Sequence, residues 1–295
     1  MPSAPRAAVA TGVADSSSGM SALQPTVVVR PVRGLFDLDL MSVGRSWELL
    51  YFLVWRDVKV RYKQTVLGLG WALLQPTITM LLFTAVFSRL AGIESDGVPY
   101  PLFAMLALVP WTYFSQAVGR GGTSVVSNAG LVTKVYFPRL AIPIASVISP
   151  LVDLAASLAI VVGLLAWYGI SPGWNLVALP AFILLAVATA LAVTLWTSAW
   201  CVKYRDVGVI VPFLLQVWLW VSPVAYPASA VPERWRLMYG LNPLAGVIEG
   251  FRWSFVGSPR PDVSLIAASV AVVAALLVGG TVYFKHTEQT FADLV

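Results

Sequence analysis

The sequence has one cysteine, Cys201, and one histidine, His286. A single thiol excludes an intrachain disulfide and a cysteine-based zinc site, and a single imidazole excludes a histidine-based metal site. Most forms of histidine acid–base catalysis are excluded for the same reason. We therefore expect a protein that is not an enzyme and that holds no metal or cofactor of its own.

Charge is also scarce, because Asp, Glu, Lys and Arg make up 11% of the 295 residues, against about 25% in an average soluble domain. Hydrophobic residues make up 58%. A soluble fold of this size has too little interior to bury so much apolar surface, so the composition predicts a membrane protein. The basic residues behind the net charge of +5 flank apolar runs, which indicates membrane topology rather than nucleic-acid binding.

A nucleotide-binding loop of the form Gly-x-x-x-x-Gly-Lys-Ser/Thr is missing as well. The nearest match, at 68–71, lacks both the lysine and the hydroxyl that contact phosphates. We therefore expect no ATP hydrolysis by this chain, and active transport would draw on a partner protein or on an ion gradient. Asp153 is the clearest ionisable residue within an apolar run. It is compatible with an ion relay and with a polar contact to a neighbouring helix.

Six stretches are apolar enough to cross about 30 Å of hydrocarbon with about 20 residues each. They are 68–90, 100–118, 142–167, 176–200, 207–226 and 265–284, and they define a membrane domain over 67–285 with a cytoplasmic tail at 286–295. An even number of spans places both termini on one side, and basic residues favour the cytoplasm. The chain has 19 Lys and Arg residues. With the termini inside, those left outside are Arg89, Arg234, Arg236, Arg252 and Arg260.

The region before the first span divides into two parts. Residues 1–40 are rich in Ala, Ser, Pro and Val without helical periodicity, which predicts a disordered cytoplasmic tail. Residues 41–66 contain a predicted amphipathic helix that lies along the inner leaflet, because Trp47, Val54 and Val58 share a helical stripe. Arg61 falls near that stripe, so we expect snorkelling or a protein contact to accommodate its charge.

Prolines interrupt the moderately apolar segment 221–257. The resulting pieces are too short to span the bilayer, and broken backbone lies at membrane depth only where protein or a watery cavity satisfies its polar groups. The sequence therefore predicts two short re-entrant helices on the outer side. A folded extracellular loop with a surface helix is the alternative.

The longest inner loop, 120–143, contains Ser127-Asn128 as a helix start and Pro138 as a helix stop. We predict a short helix near 127–139 that transmits motion from a soluble motor. A plain connector between two spans is the alternative.

A short acidic motif, Asp37-Leu-Asp39, resembles the pair with which many glycosyltransferases hold a metal-bound sugar nucleotide. No soluble domain surrounds this motif to form a nucleotide pocket. A solvated segment before the first helix is therefore favoured over a membrane glycosyltransferase.

Several blocks of sequence resemble, in the same order, the permease subunits of ABC transporters that export polysaccharides. The blocks are RDVKVRYKQTVLGLGWALLQP at 56–76, LVPWTYFSQAV at 108–118, SNAGLVTKVYFPRLAIP at 127–143, KYRDVGVIVPFLLQVW at 203–218, SPVAYP at 222–227, LNPLAGVIEGFRW at 241–253 and EQTFADLV at 288–295. The resemblance covers the chain after about residue 42. The tail before residue 40 has no counterpart in it.

The family resemblance implies an all-α membrane protein with six transmembrane helices, an amphipathic interface helix and two short re-entrant gate helices. It implies a homodimer with a lumen at its axis, joined by two separate P-loop ATPase subunits that bind ATP and Mg. The surface that contacts the ATPases would include Arg56, Lys59, Arg61, Asn128, Lys134 and Arg139. The outer gate would include Pro223, Tyr226, Pro243, Glu249 and Arg252.

The lumen would be lined by aromatic rings along which sugars slide. The candidates are Trp71, Tyr113, Phe114, Trp218 and Trp220, and the sequence does not separate them from rings that face lipid.

The function implied by this resemblance is ATP-driven export of a lipid-linked polysaccharide, of O-antigen, teichoic acid or galactan type, across the plasma (inner) membrane. The sequence names neither the glycan nor its lipid anchor. An ABC permease for drugs or lipids, an ion-coupled carrier and a membrane glycosyltransferase are the alternatives. A neighbouring gene for a P-loop ATPase would support an ABC transporter, whereas sugar transfer by the chain alone would support a membrane glycosyltransferase.

Overall fold

A computed structural model of the chain describes residues 46–63, 68, 70–134, 137–232, 235, 239–257, 260–288 and 290–291. Within these residues every regular element is a helix, as the sequence predicts. The predicted tail at 1–40, the motif at 37–39 and the start of the predicted interface segment lie outside the described residues.

The helices follow one another through short connections. The first half contains α1 (Trp47–Tyr62), α2 (Gly70–Phe83, continued by a π-helix at Thr84–Leu90), α3 (Tyr100–Ser127), α4 (Ala129–Lys134) and α5 (Ala141–Ile148). The second half contains α6 (Leu151–Tyr168), α7 (Leu179–Lys203), α8 (Val207–Val221), α9 (Pro243–Val256) and α10 (Val263–Glu288), with 3₁₀ turns at Trp174–Ala178 and Ala228–Ala230.

Five helical segments of the described chain are long and apolar enough to cross a membrane. They are Gly70–Leu90, Tyr100–Ser127, Ala141–Tyr168, Trp174–Lys203 and Val263–Glu288. Each coincides with a predicted span. The structure extends the second span from 118 to Ser127, because the helix continues through the basic and glycine-rich sequence that the hydropathy pattern had assigned to the inner loop.

The remaining predicted span, 207–226, is shorter than expected. Its helix, α8, has 15 residues and rises about 22 Å, less than the roughly 30 Å of a hydrocarbon core. The helix ends because Ser222 is extended and Pro223 has no N–H with which to continue the ladder. The count of six spans is therefore not confirmed.

Helix α3 lies at the centre of the bundle. It packs against α2, α5, α6, α7, α8 and α9. In its most apolar stretch of 18 residues, 78% are buried. The corresponding fraction is 11% for α2 and 17% for α10. These two helices therefore form the periphery, where their free faces meet lipid or another chain.

Two glycines allow α7 to approach its neighbours closely. A Cβ added at Gly121 of α3 would overlap Thr194 of α7, and one added at Gly250 of α9 would overlap the ring of Phe182. Small residues are common at such crossings, because membrane helices associate through close packing rather than through the hydrophobic effect.

Replacing Gly250 with alanine is expected to destabilise the protein by about 1–3 kcal/mol, because the Phe182 ring has to move within a packed interface. Gly163→Ala is the matched control, since Gly163 is also helical and its added Cβ would meet nothing within 4 Å. The melting temperatures of the purified variants in detergent measure the difference. Equal melting temperatures would show that α9 and α7 do not pack as described.

Candidate functional site

Three separate parts of the chain meet in one apolar cluster at the end of the bundle where α10 finishes. This inner cluster contains Leu53 of α1, Val132 of α4, Phe137, Phe284 of α10 and Phe291, all of them buried. The rings of Phe284 and Phe291 meet edge to face with centroids 5.2 Å apart. The interface helix, the loop helix and the C-terminal segment are therefore packed together.

The predicted loop helix is present as α4, six residues long. Asn128 separates it from α3. Its Nδ2 donates to the Ser124 carbonyl at 2.8 Å, which also accepts from the Asn128 backbone N–H at 3.2 Å. Lys134, the last residue of α4, is exposed. Contact between this helix and a soluble motor stays a prediction.

Arg139 connects the same loop to the end of α10. Its backbone N–H donates to Glu288 Oε1 at 3.3 Å, and its guanidinium donates to the Glu288 carbonyl. The Arg139 side chain therefore holds two parts of this chain together, although the resemblance places it on the ATPase-coupling surface.

Arg61 is turned into the bundle. Its side chain is 9% exposed and forms an ion pair with Asp153 of α6, whose side chain is 8% exposed. The Tyr62 hydroxyl donates to the other oxygen of that carboxylate, and Arg61 NH1 lies 3.4 Å from Gln116 Oε1 of α3. A protein contact, one of the two ways in which the sequence predicted that the Arg61 charge would be accommodated, is therefore present. Contact between this side chain and an ATPase stays a prediction.

This ion pair fixes the end of the interface helix against two spans. Burial lowers the pKa of the Arg61 guanidinium, and the attraction of Asp153 opposes that effect. Breaking such a buried pair costs about 3–5 kcal/mol, because one charge is left without its partner. Asp153 is thus a polar contact between helices, the second of the two roles that the sequence allowed.

The other basic residues of α1 lie nearer the surface. Arg56 NH2 is 2.9 Å from Asp57 Oδ1, and both side chains are about a third exposed, at 35% and 27%. Lys59 is exposed. Lys59 and Lys134 are therefore the two predicted coupling residues whose charges are open to a partner.

Asn242 lies at the opposite end of the bundle, where α9 begins. The Asn242 Oδ1 accepts from the Leu244 backbone N–H at 3.1 Å and from Trp218 Nε1 at 3.0 Å, and its Nδ2 donates to Ser222 Oγ at 3.0 Å. Pro243 follows at the first helical position, where its fixed φ suits a helix start. One asparagine thus caps α9 and ties it to the end of α8.

A second buried ion pair lies within α9. Arg252 NH1 is 3.1 Å from Glu249 Oε1, with side-chain exposures of 7% and 10%. The guanidinium also stacks on the Phe103 ring of α3 at 3.5 Å from its centroid and donates to the Val224 carbonyl at 3.3 Å. The pair therefore joins α9 to α3 and to the segment after α8.

Side chains donate hydrogen bonds to backbone carbonyl groups of the irregular segment that follows α8. The Tyr100 hydroxyl donates to the Ala225 carbonyl at 2.8 Å, next to the carbonyl held by Arg252, and Pro223 is buried. The Tyr226 hydroxyl donates to the Val221 carbonyl at 3.2 Å. Helix α9 has 14 residues, too few to span, and the prediction of two re-entrant gate helices is not confirmed. Residues 233–234 and 236–238 lie outside the described part.

The predicted lumen residues separate into two groups. Tyr113 and Phe114 lie in the core, where the Tyr113 hydroxyl donates to the Val147 carbonyl at 3.1 Å and Phe114 meets Trp218 edge to face at 5.2 Å. Both rings are buried within this one chain, and a lumen role for them stays a prediction. Trp71 and Trp220 are 54% and 57% exposed.

Two exposed glutamines were missed by the sequence analysis. Gln75 of α2 and Gln216 of α8 are exposed although apolar residues surround them in both helices. An amide side chain that faces hydrocarbon leaves its donors and acceptors unsatisfied. The signal in the sequence is an isolated glutamine within an apolar run.

The part of the chain that the structure describes contains no group of three or more His, Cys, Asp or Glu side chains that could hold a metal ion. Its architecture is that of a multi-pass helical membrane protein, with a buried ion pair near each end of the bundle.

The chain belongs to the ABC-2 type transporter family, whose model matches residues 48–256. It is 32% identical to the O-antigen export system permease protein RfbA of Myxococcus xanthus, over 84% of this chain and 95% of that protein. A protein of the same name from Klebsiella pneumoniae is 23% identical over 86% of this chain and 97% of that protein. The polysialic acid transport protein KpsM of Escherichia coli is 22% identical over 79% of this chain and 91% of that protein.

Proposed function

We propose that the chain is the membrane-spanning subunit of an ATP-driven exporter that carries a lipid-linked polysaccharide across the plasma membrane. The observation that carries this proposal is the match to an O-antigen export permease over 84% of this chain and 95% of the relative. The glycan would be of O-antigen, teichoic acid or galactan type. Both termini would lie in the cytoplasm, because that orientation keeps most basic residues inside.

Two P-loop ATPase subunits would bind the ATP and Mg²⁺ and drive this chain through α4. The exposed Lys134 ends α4, while Val132 packs into the inner cluster with Leu53 of α1 and Phe284 of α10. Packed interiors transmit displacement because they compress little. A push on α4 would therefore reach the interface helix and the last span, and the exposed Lys59 of α1 would provide a second contact.

A second copy of the chain would face this one through α2 and α8. The outer ends of these two helices are adjacent, since the rings of Phe83 and Trp220 stack at 6.2 Å. The exposed Gln75 and Gln216 suit a watery path between two copies better than they suit lipid. Trp71 and Trp220 would supply aromatic surface for sugar rings along that path.

The outer gate would be formed by α9 and the segment that precedes it. Pro223, Tyr226, Pro243, Glu249 and Arg252 all lie in this region of the chain. The Asn242 contacts and the Glu249–Arg252 pair hold it against α3 and α8 in the conformation described. Opening would require these contacts to be exchanged for others.

Purification of the tagged chain from its host tests the ATPase partnership. We expect a P-loop protein to copurify in equal amount, and we expect ATP hydrolysis by the complex but not by the chain alone. Transfer of sugar from a sugar nucleotide by the chain alone, with Mg²⁺, would instead identify a glycosyltransferase.

Cysteine labelling tests the contact at α4 and the orientation together. Cys201 is the only cysteine and is buried, so a cysteine introduced at an exposed position is expected to react selectively. Lys134→Cys should react with a membrane-impermeant maleimide in inside-out vesicles and should be protected by the ATPase. The matched control is Ser171→Cys, in the connection after α6, which should react only from the outside. Unchanged labelling of Lys134→Cys when the ATPase is bound would contradict a contact there.

A further inference from the structure

The inner end of α3 carries a positive charge, that of Arg120, which forms no ion pair within the described part of the chain. Arg120 is exposed, and among the described residues no carboxylate lies within ion-pair distance of it. The neighbouring charges are already paired, Arg56 with Asp57 and Arg61 with Asp153. Asp57 attracts Arg120, but its carboxylate is already paired with Arg56, so Arg120 has no ion-pair partner among the described residues.

Arg61 lies beside Arg120 and has donors to spare. Gln116, which contacts Arg61, precedes Arg120 by one helical turn on the same face of α3. Arg61 uses NH1 for Asp153 and Gln116, whereas its Nε and NH2 are buried and have no hydrogen-bond partner among the residues that the structure describes. Buried donors without partners are rare in folded proteins and call for an acceptor.

The position of α1 indicates where such an acceptor would come from. Trp47, Tyr51 and Trp55 succeed one another at one-turn intervals and are 62%, 63% and 54% exposed. Aromatic rings of this kind lie at the headgroup level of a membrane. Arg61 is at the C-terminal end of the same helix, so it lies near the level at which lipid phosphates are found.

We propose that Arg61 and Arg120 form a binding site for a phosphate group at the headgroup level of the inner leaflet. Two guanidinium groups with unused donors match the oxygens of a phosphate, which accepts paired, charge-assisted hydrogen bonds. The phosphate belongs either to a phospholipid or to the linkage between an exported glycan and its lipid. The second source rests on the proposed function.

Binding to the purified full-length chain in neutral detergent at low salt tests this site. One probe is dioctanoyl phosphatidylglycerol, the other is farnesyl diphosphate, and dioctanoylglycerol reports binding of the tail without phosphate. Arg120→Gln is expected to weaken phosphate binding by about tenfold or more, and Arg120→Lys by less, since lysine keeps the charge but not the fork. Arg205→Gln is the control, because Arg205 is exposed in the turn between α7 and α8.

The two probes distinguish the sources. Weaker binding of phosphatidylglycerol identifies a phospholipid site, and weaker binding of farnesyl diphosphate alone identifies a site for the substrate linkage. Equal affinities of Arg120→Gln and Arg205→Gln for both probes would overturn the proposal. The assay does not depend on export, so failure of the proposed function would leave its phospholipid result unaffected.

Discussion

Replacing Asp153 with alanine is expected to lower the stability of the permease by about 3–5 kcal/mol, because the Arg61 charge would stay buried without its partner. The Tyr62 hydroxyl would lose its acceptor at the same time. The end of the interface helix would then be released from α6, and export should fall close to background. The melting temperature of the purified variant and the surface glycan of cells that carry it measure the two effects.

The double variant Arg61→Met/Asp153→Leu separates the charge from the shape of this contact. Replacing both partners with apolar residues removes the unpaired charge, so much of the lost stability should return. Glu48→Ala is the matched control, since Glu48 is an exposed carboxylate on α1. A double variant no more stable than Asp153→Ala, or an Asp153→Ala chain as stable as the Glu48 control, would contradict the described pair.

Replacing Arg252 with alanine is expected to have an effect of similar size at the outer end, about 3–5 kcal/mol. Three contacts would be lost together: the ion pair with Glu249, the donation to the Val224 carbonyl and the stacking on Phe103. Arg252→Lys keeps a charge but not the planar fork, so it should fall between the alanine variant and the parent. Thermal unfolding in detergent and surface glycan again provide the measurements.

An exposed arginine on the same side gives the control for this prediction. Arg260 lies just before α10 and is exposed. The free energy of unfolding of Arg260→Ala should therefore lie within about 0.5 kcal/mol of that of the parent. If Arg252→Ala behaved like Arg260→Ala, the guanidinium would not be buried in the way described. If Arg252→Ala melted normally but abolished export, its role would lie in opening rather than in packing.

The spans were predictable because long runs of Leu, Val and Ala leave few alternatives to a membrane helix. The pairing of Arg61 with Asp153 was not, although both residues stood out as charges in apolar surroundings. They are 92 positions apart, and only the packing of α1 back against the bundle brings them together. Hydropathy alone could not show this, because it describes each segment separately.

The aromatic residues illustrate the same limit. Phe114 and Trp220 occur in similarly apolar sequence, yet one lies in the core and the other is exposed. The difference arises because α3 is surrounded by other helices on most sides, whereas α8 has a free face. The exposed glutamines at 75 and 216 are the polar residues that identify the free faces of α2 and α8, and a search for such residues would have found them.

Depletion of this chain in its host tests the central claim most directly. The exporter proposal predicts that a lipid-linked glycan accumulates on the cytoplasmic face of the membrane while its surface form disappears, and its sugar composition would identify the substrate. If the glycan were never synthesised, or if its surface form were unchanged, the proposal of export would be contradicted.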